Sequence, residues 1–155
     1  MPVPVDLSRH FTLDEAFPLL KELLAGRRVG LAVGIMADAT NSLTGEKIAA
    51  YAIDNEYGSH ARNIPPRPFL RSTFDANAQK YAGGLAEELA GGMDPELAMR
   101  RLGEVMAGDV KEAVSTWETP PNSPATIERK EGRNTPLRDT GSMLKSITYR
   151  VDVEK

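Results

Sequence analysis

Val29-Gly-Leu-Ala-Val-Gly-Ile-Met36 alternates bulky and small residues. Val29, Leu31, Val33 and Ile35 fall on one side, and Gly30, Ala32, Gly34 and Met36 on the other. A period of two sends successive side chains to opposite faces of a strand. The stretch therefore predicts a first strand with one bulky face. Its small face leaves room for a helix backbone to approach closely. A second alternation closes the chain. Ile147, Tyr149, Val151 and Val153 alternate with Thr148, Arg150, Asp152 and Glu154. This is the pattern of a half-buried strand, most economically antiparallel to the first.

Between the two strands the period changes to that of helices. Residues 48–57 predict a short helix that Gly58 ends. Residues 68–90 predict a long one, with Leu70, Phe74, Ala78, Tyr81, Leu85 and Leu89 as its apolar stripe. Gly91-Gly92 breaks it. Asp94 then caps a second long helix, with Pro95 at its first position and Glu96 in its first turn, where carboxylates favour the dipole. Leu102, Met106, Val110, Ala113 and Trp117 continue the stripe there. The expected fold is one α+β domain over residues 1–155: a small antiparallel sheet covered by a long helical hairpin. Residues 37–47 read as a polar loop or hairpin tip, and one further strand has room within 37–50.

Residues 1–10 read as a loose arm. Thr12 and Glu15 have capping-box spacing, and Leu13, Phe17, Leu20 and Leu24 recur at helical spacing after it. Pro18 either starts that helix or kinks it, and Gly26 stops it. Residues 118–137 are rich in Pro, Thr and Asn and read as a mobile loop, with a short helical turn at 126–130.

The connector Asn63-Ile-Pro-Pro-Arg-Pro-Phe-Leu-Arg71 carries three prolines in four positions. Each fixes its own φ and biases the preceding residue towards an extended shape. Pro68 suits the first helical position. The segment reads as a stiff strut that swings into the long helix. It is basic: Arg62, Arg67 and Arg71 occur with no acidic residue between His60 and Phe74. Arg129, Lys130, Arg133 and Arg138 form a second basic cluster. These seven residues are the candidate interface. Of the pair flanking Pro68, one of Arg67 and Phe69 is expected in solvent and the other in the core. On that basis Arg67→Glu is expected to leave folding intact and impair assembly, unless Arg67 is an internal partner.

Composition narrows the function. Hydrophobic residues make up 41% and charged residues 26% of 155, which suits a soluble globular chain. The net charge of −3 gives no global pull towards nucleic acid. There are no cysteines, so disulfides and thiolate metal sites are excluded. No apolar run approaches the ~20 residues of a membrane helix, and the first residues lack the pattern of a signal peptide. The expected location is the cytoplasm in which the chain is made, without membrane contact.

No catalytic, metal or cofactor-binding residues emerge. The two histidines, His10 and His60, lie in predicted loops. Glu56 and His60 stand four apart, but Gly58 interrupts the helix between them. No serine lies in a G-x-S-x-G elbow, and no phosphate-binding glycine loop is present. Most aromatic residues fall on apolar stripes and read as core, not as stacking platforms for bases. Asp139-Thr-Gly141 is also the triplet of aspartic proteases. Here it reads as a turn that caps a short helix at 142–144, with Asp139 bonding backbone N–H groups and Gly141 taking a positive φ.

Three stretches taken together carry a resemblance. Asp54-Asn-Glu-Tyr-Gly58 precedes Ile64-Pro-Pro-Arg-Pro-Phe-Leu70. Pro121-Asn-Ser-Pro-Ala-Thr-Ile-Glu-Arg-Lys130 comes later. Pro136-Leu-Arg-Asp-Thr-Gly-Ser-Met-Leu-Lys-Ser-Ile-Thr-Tyr149 comes last. This order resembles bacteriophage tail-completion and virion-morphogenesis proteins, the Mu G-like group and related head–tail joining proteins, over roughly residues 48–151. The resemblance implies a small α+β structural subunit, not an enzyme. It implies a subunit that completes the tail or joins it to the head, often as a homo-oligomeric ring. Its partners would be other tail or neck proteins, with DNA incidental, and its final location the virion. Residues 37–47, 58–66 and 118–137 are the loops expected to order on docking. The alternatives are a nucleic-acid-associated factor that uses the arginine clusters and a hydrolase centred on Asp139.

Overall fold

In the computed structural model, residues 27–138 and 140–154 are described. The expected N-terminal arm and first helix, and Asp139, lie outside the described residues. The chain is α+β. Strand β1 (Arg28–Ile35) leads to helix α1 (Ile48–Tyr57), and the long helices α2 (Phe69–Ala90) and α3 (Pro95–Thr116) follow. Two short helices, α4 (Pro124–Arg129) and α5 (Ser142–Ser146), precede strand β2 (Ile147–Glu154).

The two strands pair antiparallel over their full length. Val29 faces Val153, Leu31 faces Val151, Val33 faces Tyr149 and Ile35 faces Ile147. The register thus puts every bulky residue of both alternations on one face. A shift by one residue would turn all of them to solvent, which is why this register is the one adopted. Helix α3 lies against that face and packs along α2 on its other contacts. The small face, by contrast, is not the one a helix approaches: Gly30 and Ala32 are exposed, and at the buried Gly34 no atom lies within 4 Å of an added Cβ. Close approach occurs on the bulky side instead, at Gly103 of α3, which meets the ring of Tyr149. The loop after β1 forms one isolated bridge, Thr40 with Lys47, and holds no further strand.

The main core joins α1, α2, α3 and α5 to the start of β2. Phe69, Val110, Val114 and Ile147 are fully buried beside Ile48, Ala52, Ala107 and Met143. Each large side chain of this kind contributes about 1.5–3 kcal/mol on burial. A second cluster, Leu85, Leu89, Ala98 and Met99, closes the far end of the hairpin under Val29, Leu31 and Val151. Asp94 caps α3 as expected, since its side chain accepts from the N–H groups of Glu96 and Leu97. Between the long helices the Tyr81 hydroxyl donates to Asp109 at 2.8 Å, and Lys80 reaches the same carboxylate at 2.7 Å. Burial first, then the hydrogen bond and charge of Asp109, push the Tyr81 phenol well above its ordinary range.

Candidate functional site

The end of α1 sets up the site. Asn55, Glu56 and Tyr57 form its last turn, and Gly58 leaves it with φ 79°. A side chain at Gly58 would lie 3.0 Å from the Pro66 nitrogen, so the strut folds back over this residue at backbone distance. Glu56 is buried and points at the start of α2. Its carboxylate accepts from the backbone N–H groups of Leu70 at 2.9 Å and Arg71 at 3.1 Å, and from Arg71 Nε at 2.9 Å. It therefore serves the helix terminus from fourteen positions upstream, where the N-cap itself, Pro68, offers no side-chain bond. Arg71 closes the contact by donating to the Glu56 carbonyl and stacking 4.5 Å over the Tyr57 ring. Glu56→Gln keeps the shape but turns an N–H donor towards other donors. We expect a loss of about 1–3 kcal/mol of stability, read by denaturant unfolding.

Arg67 ties the strut to the rest of the protein. Only 5% of it is exposed. Its guanidinium donates to the carbonyls of Pro120 at 3.0 Å and Pro121 at 2.9 Å and to Asn55 Oδ1 at 3.3 Å, while its backbone N–H donates to the Asn55 carbonyl. All of these acceptors are neutral. Burial accordingly lowers its pKa from the ordinary arginine value. Both residues flanking Pro68 are thus buried, Arg67 in polar surroundings and Phe69 in the core. The expectation that one of them faces solvent is corrected by the carbonyls of Pro120 and Pro121, which give Arg67 acceptors inside the fold.

Lys130 does the same for the C-terminal loop. It is 6% exposed, and its ammonium donates to the carbonyls of Thr135 and Arg138. The segment expected as a mobile loop over 118–137 is held at both ends by these two cations. It contains α4, capped by Ser123, which accepts from Thr126 N.

Around these anchors lies an open cleft of about 1250 Å³. The loop after β1, the strut and the segment from Pro121 to Met143 all line it. Five of the seven candidate interface residues, Arg62, Arg67, Arg129, Lys130 and Arg138, are on its wall. Arg62 is exposed and held by Asp54 at 3.0 Å and Glu46 at 3.7 Å. Arg71 and Arg133 lie outside the cleft; Arg133 is exposed and donates to the Lys130 carbonyl at 3.1 Å. Of the structural turns, Gly58 and Gly141 both have φ 79°, and Gly141 is the N-cap of α5. Pro68 sits one position earlier than expected, as the N-cap of α2.

Sequence reasoning missed Glu56 as a capping group and weighed it only as a partner for His60. The structure commits it to α2 instead. Among the described residues no group of three or more His, Cys, Asp or Glu side chains gathers as a metal site, and no helix is long and apolar enough to cross a membrane. No family model, curated protein or solved structure matches the chain.

Proposed function

We propose that this chain is a structural subunit of a bacteriophage tail or head–tail joint, acting through protein–protein contacts and not through catalysis. The observation that carries the reading is convergence. Asn55 and Tyr57 from the first motif, Arg67 from the strut, and Pro121 and Lys130 from the later stretch meet around one cleft. Residues widely separated in sequence are thereby fixed as one surface by hydrogen bonds to backbone carbonyls. Such a surface presents a shape to a partner with little loop entropy left to lose on docking. A preformed cleft is accordingly the mechanism we favour over loops that order on contact. The subunit would be made in the bacterial cytoplasm, assemble as a homo-oligomeric ring beside other tail or neck proteins, and end in the virion.

Deleting the gene from a producing phage and viewing particles by electron microscopy tests this. Tailless heads beside free or overlong tails are expected. Normal particles would sink the reading. Affinity of the purified chain for DNA that falls steeply with salt would instead favour a nucleic-acid-associated factor.

A further inference from the structure

We infer that the cleft takes an extended acidic peptide segment from a partner protein, with a carboxylate seated on Arg138. The inference rests on the assembly reading above and names the chemistry of the partner. Size is the first argument. At about 1250 Å³ the cleft exceeds the 300–1,000 Å³ common for small-molecule pockets, and it is open to solvent.

Charge is the second. Among the described residues on its wall, five cations face one carboxylate, Glu46. Most of these cations are already engaged. Arg62 is bridged by Asp54 and Glu46, Arg129 has a partner of its own, and Lys130 holds carbonyls. Arg67 holds only neutral acceptors, so its charge remains as a field at the wall. Arg138 is different again. Its Nε is buried and has no hydrogen-bond acceptor. The amide nitrogen of Asn122, on the same wall, is likewise buried without one. Unsatisfied buried donors cost about 1–3 kcal/mol each. Both of these groups lack the same thing, an oxygen acceptor. A carboxylate meets the guanidinium fork edge-on through two N–H groups, and a peptide carbonyl suits the asparagine amide. Arg138 is itself a wall residue, so a partner's carboxylate enters beside its guanidinium.

A nucleic acid fits less well. Among the described residues the wall carries no row of aromatic platforms for successive bases: Arg71 already stacks on the exposed Tyr57 ring, and Tyr51 packs on the core.

The test uses the full chain and four fluorescent probes: a Glu/Asp-rich decapeptide, its Gln/Asn counterpart, single-stranded oligo-dT and a short DNA duplex. The acidic peptide is expected to bind at least about tenfold more tightly than the neutral one, worth about 1.4 kcal/mol. Arg138→Gln should weaken it at least tenfold, and Arg150→Gln, a substitution at the exposed face of β2, should not. Amide shifts induced by the peptide in the wild-type protein should fall in 59–67 and 121–138, a readout that does not depend on the variant folding. No binding, equal binding of the neutral peptide, tighter binding of either nucleic acid, shifts elsewhere, or equal effects of the two substitutions would overturn the inference. A peptide failure beside a clear tail defect in the deletion would reject the ligand and leave the assembly role standing.

Discussion

Arg67→Glu should strongly destabilise this protein. The substitution places a carboxylate where three oxygen acceptors, the carbonyls of Pro120 and Pro121 and Asn55 Oδ1, now receive a guanidinium. Those acceptors lose their donors, and an anion is buried beside them with nothing to stabilise it. Removing one partner from a buried charged contact typically costs about 3–5 kcal/mol, and a domain of this kind holds only about 5–15 kcal/mol in total. At about 2–4 °C per kcal/mol for a chain of this length, the melting temperature should fall by about 6–20 °C. Arg62→Gln is the matched control. Arg62 is 56% exposed in its side chain and pairs with Asp54 at the surface, where such pairs contribute about 0–1 kcal/mol. Thermal unfolding of both variants separates the two arginines. A melting temperature for Arg67→Glu within a degree or two of wild type would show that the carbonyl contacts carry no stability.

The outcome bears on how far the sequence could be read. The strut was legible as a stiff, basic segment because proline geometry is local. What its central arginine does was not, because its acceptors are backbone carbonyls more than fifty residues away. A carbonyl is present at every position and leaves no trace in the residue pattern. The same limit hid Glu56, which looks in sequence like one more acidic residue in a short helix. Only the return of the chain at Gly58 places it against the N-terminus of α2.

The sheet shows the opposite case. Both alternations are strict, and together they point to the two strands and their antiparallel pairing; which face the helix takes and the register come from the packing of α3. The hairpin falls between. Its extent, its Asp94-Pro95 start and part of its buried stripe (Tyr81, Leu85, Leu89 and Val110) could be read directly, but its closest contacts could not. Beside Val110 and Val114, α3 buries the small residues Ala98, Gly103 and Ala107, while Leu102 and Met106, which a hydrophobic stripe selects, are only half-buried. Small residues carry almost no hydrophobic signal, yet they determine how near two elements can come.

Gly103 turns that point into a measurement. A Cβ at this position would lie 2.5 Å from Tyr149 Cδ2, 2.6 Å from Cγ and 2.9 Å from Leu31 Cδ1. The Tyr149 atoms belong to the root of the ring, so rotating the side chain about its far end gives no relief. Its hydroxyl is also tied to Glu104 at 3.2 Å. The helix must therefore move off the sheet or the ring must leave its place. Overpacking of this kind costs about 1–3 kcal/mol for a methyl group, and a valine should cost more. Alanine, however, is preferred over glycine within a helix by about 0.8–1.0 kcal/mol. Gly108 isolates that second effect. It lies in the same helix, is exposed, and has no atom within 4 Å of an added Cβ. Gly108→Ala should thus stabilise the protein by up to about 1 kcal/mol, while Gly103→Ala destabilises it and Gly103→Val does so further. Denaturant unfolding of the three variants gives the order. If Gly103→Ala and Gly108→Ala shift stability in the same direction by the same amount, α3 does not approach β2 as closely as the fold requires.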